Sequence, residues 1–201
     1  MTKTKKRIAV AGTAAVIAAI SVSVFAYFAA REDKPNLVGV GEDDISISET
    51  FTPPDQNQPY RKVVKISNTG SVPCYVRAKI EFSDSQSESR AYFSAENADS
   101  ETPPADGTYY KASPAAAESY TAHLPAGWKY NAADGYYYYE SAVAPGKDTV
   151  PLLAWVKMVY EDGAQVTPHD IFVYSESVQT VDPNTGVEYT DWKQAWSSFA
   201  G

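Results

Sequence analysis

The sequence predicts an all-β chain: an antiparallel β-sandwich, finished by a short C-terminal helix. Three observations carry this. Apolar and polar residues alternate along several segments, the pattern of strands with one face buried. Gly, Pro, Asn and Asp recur between those segments as turn signals. No strand–helix–strand alternation of the kind that builds parallel sheets occurs. About seven strands fit this reading.

The chain opens differently. Lys3, Lys5, Lys6 and Arg7 form a basic start, and an apolar or small-residue run of 23 residues follows, from Ile8 to Ala30. Arg31, Glu32, Asp33, Lys34 and Pro35 end it. A basic region followed by an apolar one is an export signal. The run is long enough to cross a bilayer core, which needs roughly 20 residues. Its chemistry points instead to cleavage: Val24 and Ala26 occupy the two positions a signal peptidase reads, and Tyr27 would become the new N-terminus. The expectation is a signal peptide at 1–26, with an uncleaved anchor reaching residue 30 as the alternative. Any membrane contact would run through this segment alone. A leader, 27–41, comes next, and its Leu37, Val38 and Val40 are apolar.

The sandwich is expected over 42–189. Ile45 and Ile47 alternate with Ser46 and Ser48 as a first strand, broken by Pro53, Pro54 and Pro59. A second strand begins at Val63, Asn68-Thr69-Gly70-Ser71 reads as a tight turn, and a strong strand occupies 72–82. Two strands around such a turn predict a hairpin. In the third strand Val72, Cys74, Val76, Ala78, Ile80 and Phe82 share one face. Cys74 is the only cysteine, so no internal disulfide forms, and its parity predicts a buried thiol. Residues 83–126 are rich in Ser, Ala, Glu, Asp and Pro and read as a long polar insertion, with at most a helical turn at 115–120.

Beyond it, Trp128–Tyr130 and Tyr136–Glu140 flank Asp134-Gly135 as a hairpin. Four tyrosines in succession suit a strand with two inside and two outside. A second possibility is an aromatic surface for carbohydrate or protein, built from Trp128, Tyr136 and Tyr138. The segment 149–160 is apolar on both faces and therefore central or covered. Residues 171–181 form a last strand. Thr190 or Asp191 caps a helix over 190–201 whose Trp192, Ala195, Trp196 and Phe199 fall on one side.

Net charge is −8 over 201 residues. Removing residues 1–26 takes away four basic and no acidic side chains and moves it to −12. Such a charge argues against nucleic acid and anionic lipid as partners. Phosphate loops, dinucleotide fingerprints, nucleophile elbows and zinc-protease motifs are absent, and no cofactor is implied. Only His123 and His169 exist, far apart in sequence. Asp182, Asn184 and Glu188 carry oxygen ligands, but their spacing departs from a calcium loop. No catalytic or metal residue is assigned.

Several stretches carry a resemblance. They are Phe25-Ala26-Tyr27-Phe28, residues 36–41, residues 67–77, Asp134-Gly135 with the four tyrosines, Ala144-Pro145-Gly146, and Asp191-Trp192-Lys193-Gln194-Ala195-Trp196. Together they cover about a third of the chain. They resemble the Gram-positive exported proteins processed by a SipW-type signal peptidase, the TasA-like and camelysin-like group. The resemblance implies a jelly-roll-like sandwich and a non-catalytic structural role at the cell surface or in a biofilm matrix. It also implies self-association, or association with other matrix proteins, by donation of the N-terminal strand that holds Leu37, Val38 and Val40. A camelysin-like metal-dependent protease is the alternative it implies, and a carbohydrate-binding surface module is weaker still.

Overall fold

A computed structural model describes residues 44–51, 58–161 and 169–199. Every described element lies within Val40–Gly201. The candidate cleavage residues Val24, Ala26 and Tyr27 and the candidate donor residues Leu37, Val38 and Val40 lie outside the described residues. No helix among the described residues is long and apolar enough to cross a membrane.

The all-β antiparallel architecture is present, with two sheets and a short C-terminal helix. The strands are β1 (Ile45–Phe51), β2 (Pro59–Asn68), β3 (Cys74–Phe82), β4 (Ala91–Ser94), β5 (Tyr110–Lys111), β6 (Trp128–Asn131), β7 (Tyr136–Tyr139), β8 (Leu153–Met158) and β9 (Ile171–Gln179). The helices are α1 (Ser85–Arg90) and α2 (Trp192–Phe199). One sheet runs β1-β2-β8-β4-β5 and the other β6-β7-β3-β9. Every pairing is antiparallel.

The sheets pack face to face. Tyr60, Val64, Phe93, Leu153, Val156 and Met158 of the first sheet meet Ile80, Phe82, Ile171 and Val173 of the second. Ile66 and Leu152 meet Cys74, Val76, Ala78 and Tyr137. Each fully buried Leu or Val contributes roughly 1.5–3 kcal/mol. Cys74 is fully buried and bridges to Val143 through both backbone groups, at 3.1 and 2.8 Å.

Three expectations are corrected. Strands β2 and β3 do not form a hairpin: they lie in different sheets, and β2 pairs with β1 instead. The turn chemistry at Asn68 is real but serves a crossing between sheets. The buried Asn68 amide donates to the Val72 and Val143 carbonyls at 2.8 and 2.7 Å, and its oxygen accepts from Gly70 N–H at 2.9 Å. Pro59 opens β2 rather than only breaking β1, since the first residue of a strand tolerates a missing donor.

The third correction concerns 83–126, which is built into the sandwich rather than hanging from it. Asp84 caps α1 by accepting from Ser87 N–H at 2.8 Å. Strand β4 then pairs with β8. Ala91, Phe93, Ala112 and Tyr120 enter the core, and the Tyr120 hydroxyl donates to the Leu152 carbonyl. Tyr109 and Ala98 lie on Ala154 and Trp155, and the Trp155 indole donates to the Asn97 carbonyl at 3.2 Å. This explains why β8 is apolar on both faces: the segment around Ala98 and Tyr109 covers its outer side. Residues 115–118 form turns and a bend, Ser119 bridges to Lys111, and a 3₁₀ turn follows at Tyr120–Ala122.

Candidate functional site

Alternation along β7 sends Tyr137 and Tyr139 toward the core and Tyr136 and Tyr138 to the outer face of the four-stranded sheet. That outer face is not open. The capping residue Asp191 accepts from Gln194 N–H at 2.9 Å, starting α2, and the helix lies across the sheet. Tyr75, Tyr189 and Ala195 form a small core there with Val178 and Trp192. The Tyr138 ring meets Trp192 at 5.1 Å and Trp196 at 5.9 Å.

Arg77 is the centre of this face. Its guanidinium lies 4.1 Å from the Tyr136 ring and 4.3 Å from Trp196. It donates to Glu176 at 2.8 and 2.5 Å and to the Tyr138 hydroxyl at 2.9 Å. The Tyr138 hydroxyl in turn donates to Asp134 at 2.6 Å. Desolvation alone would lower the Arg77 pKa, but the bonds to Glu176 and Tyr138 outweigh it and hold the guanidinium above its ordinary value. All three guanidinium nitrogens donate to protein groups, and the Tyr136 and Trp196 rings flank the group, so the cluster is a clasp for α2.

The candidate surface aromatics are therefore corrected. Trp128 is a core residue, 4% exposed, with its indole donating to the Val150 carbonyl at 2.8 Å. Tyr138 is buried under α2, and Tyr136 is half-buried against Arg77. Strand parity places the tyrosines outward, but it carries no information about a helix arriving from the C-terminus.

The histidines are not brought together. The His123 ring stacks on Tyr110 of β5 at 3.5 Å, with Glu118 at 4.0 Å. His169 shares a 3.1 Å hydrogen bond with Tyr60 of β2. Strands β8 and β4 lie between β2 and β5, which separates those strands by about 14 Å. The Asp182 carboxylate accepts from the N–H groups of Asn184 and Thr185 at 2.8 and 3.3 Å, and Val181 bridges to Glu188. It shapes a turn. Among the described residues no three His, Cys, Asp or Glu side chains converge as metal ligands.

The feature that sequence reading missed is a sheet edge. Strand β9 borders the four-stranded sheet, and among the described residues no strand pairs with its far side. Its register with β3 is unbroken from Cys74↔Gln179 to Phe82↔Ile171, without a bulge. It contains no Pro and no Lys, two of the devices that blunt natural edges. The outward Phe172 and Tyr174 are 45% and 43% exposed. The other edges differ in length: β5 has two residues and β6 four, while β1 has seven. The apolar alternation of 171–179 is visible in sequence, but its place at an edge is not.

No family model, no curated protein and no solved structure matches the chain. Fold and site together define a class, an antiparallel β-sandwich with a helix-clasped outer face and, among the described residues, a nine-residue strand at the border of one sheet.

Proposed function

We propose that the chain is an exported, non-catalytic structural protein of the cell surface or extracellular matrix, and that it self-associates by strand addition. The segment 27–41 of one copy, through Leu37, Val38 and Val40, adds to the β9 edge of the next. The observation that carries this reading is the β9 edge itself: nine residues in unbroken register, no gatekeeping Lys or Pro, and two exposed aromatics. A strand at the border of a sheet is a template to which an extended segment of another copy adds by main-chain hydrogen bonds. A nine-residue edge spans about 30 Å, which a leader of this length can cover. Export supplies the leader in the free form when the signal is cut after Ala26.

The test compares the chain starting at Tyr27 with one lacking 27–41 and with the double variant Phe172→Lys/Tyr174→Lys. Both positions are exposed, so the lysines leave the fold in place while charging the edge. Sedimentation and electron microscopy should show concentration-dependent assemblies for the first chain and monomers for the other two. A first chain that stays monomeric at high concentration, or lysine variants that assemble normally, would falsify the proposal.

A further inference from the structure

A cavity of about 360 Å³ opens at the end of the sandwich where β3, α1 and the β6–β7 hairpin meet. That is at the small end of ligand-pocket sizes. Phe82 and Phe93 supply apolar wall, and Tyr130 and Tyr137, whose rings lie 4.9 Å apart, line one side. Tyr137 is only 3% exposed. Among the described residues no hydrogen bond reaches its hydroxyl, nor that of Tyr130, and no ion pair or hydrogen bond reaches the half-buried Glu88 carboxylate.

The charged rim is otherwise satisfied. Lys79 is paired with Glu81 at 2.8 Å, and Asp84 caps α1. The uncompensated group is therefore Glu88. Burial, then Tyr130 and Glu88, push the Tyr137 pKa up, and burial, then Asp134 and Glu88, do the same for Tyr130. Both phenols stay neutral and retain their hydroxyl protons at physiological pH. The cavity offers one carboxylate, two phenol oxygens and aromatic walls.

We infer that this cavity binds a small organic cation carrying N–H donors, an alkylammonium or guanidinium group, with Glu88 as its counter-ion and Tyr130 and Tyr137 as hydrogen-bond acceptors. Carboxylates bind such donors by charge-assisted hydrogen bonds, and aromatic faces attract cations. A neutral sugar would leave the Glu88 charge uncompensated. A hard divalent ion needs about six oxygen ligands, and one free carboxylate with two neutral phenols falls short. The group belongs either to a free amine or to a Lys or Arg side chain of a peptide. This inference is independent of strand addition at β9.

The experiment titrates the full-length chain, held in a mild nonionic detergent, with cadaverine, agmatine and a capped Gly-Lys-Gly peptide, by calorimetry and tyrosine fluorescence. Saturable binding of at least one of the three is expected, with Glu88→Gln weakening it about tenfold or more and methyl glucoside neither binding nor competing. Binding of the amines alone supports a free-amine ligand, and binding of the peptide as well supports side-chain docking. Tyr130→Phe, at a half-buried site, provides a second variant expected to weaken binding severalfold should Tyr137→Phe misfold. Absence of saturation for all three probes, or unchanged affinity in Glu88→Gln with unchanged melting temperature, overturns the assignment.

Discussion

Removing the Trp196 side chain tests whether α2 is part of the folded core. The ring is 5% exposed, stands edge-on to Tyr138 at 5.9 Å and to Phe199 at 5.5 Å, and carries the Arg77 guanidinium 4.3 Å from its centre. Truncating a buried Trp to Ala costs about 3–5 kcal/mol. The Arg77 contact contributes about 0.5–2 kcal/mol of that. An eight-residue helix has no stability of its own, so losing its anchor also uncovers Tyr75 and Tyr138. We expect Trp196→Ala to lose about 3 kcal/mol in urea unfolding and about 6–12 °C in melting temperature, given about 2–4 °C per kcal/mol for a domain of this size. Phe199→Ala, at a residue 37% exposed, should lose under about 1 kcal/mol. Trp196→Phe should cost much less than the alanine, because the indole N–H is buried without a hydrogen-bond partner among the described residues. If Trp196→Ala costs no more than Phe199→Ala, α2 is an appendage and the clasp reading is wrong.

Further expectations concern titration and backbone strain. The hydrogen bond from Lys65, then that from Ser67, holds the Asp148 carboxyl below the usual carboxylate range. Its contribution is present above the unfolded value of about 4 and is lost as pH falls through the lower folded value. Asp148→Asn should flatten the acid limb of a stability–pH curve, by under about 1 kcal/mol since the pair is more than a third exposed. Burial raises the pKa values of Tyr60, Tyr109, Tyr120 and Tyr137. Their contribution is complete below about pH 10 and is lost as pH climbs toward the raised folded values. Absorbance at the tyrosinate band should therefore rise in two stages, the second coinciding with loss of the β-sheet dichroism; a single smooth titration in the folded state would contradict the burial. Gly127 has φ +88, and a Cβ there would sit 2.8 Å from Tyr139 Cε2. Gly127→Ala should cost about 2 kcal/mol in urea unfolding, and a neutral result would show that the Trp128–Tyr139 pair shifts freely.

Much of the architecture was legible because it is periodic. The alternation of 74–82 predicted the inward Cys74, Val76 and Ala78, and Asp134-Gly135 with its flanking aromatics predicted the β6–β7 hairpin. The two-sided apolarity of 149–160 predicted a covered strand. What failed was partner choice. Asn68-Thr69-Gly70-Ser71 has hairpin chemistry, yet β2 and β3 go to different sheets, because Asn68 ties this corner to Val143, 75 residues away. Ala91–Ser94 is four residues among breakers, and its strand character comes from pairing with β8 rather than from any local pattern. Trp128 drew a surface reading from its tyrosine-rich neighbourhood, while the Val150 carbonyl that satisfies its indole lies on a different segment.

By itself the sequence determined the things that depend on neighbouring residues. These are the basic-then-apolar start, the strand faces, the turn positions, a helix cap at Thr190 or Asp191 and the buried parity of the single thiol. Strand parity follows from backbone geometry, so local order is enough. Only the tertiary structure decided which strands pair, that α2 lies over Arg77 and Tyr138, that β9 is left as an edge, and that Glu88, Tyr130 and Tyr137 face one cavity. Those arrangements join residues tens of positions apart, and β-sheet partners are selected by packing against distant neighbours rather than by intrinsic backbone preference.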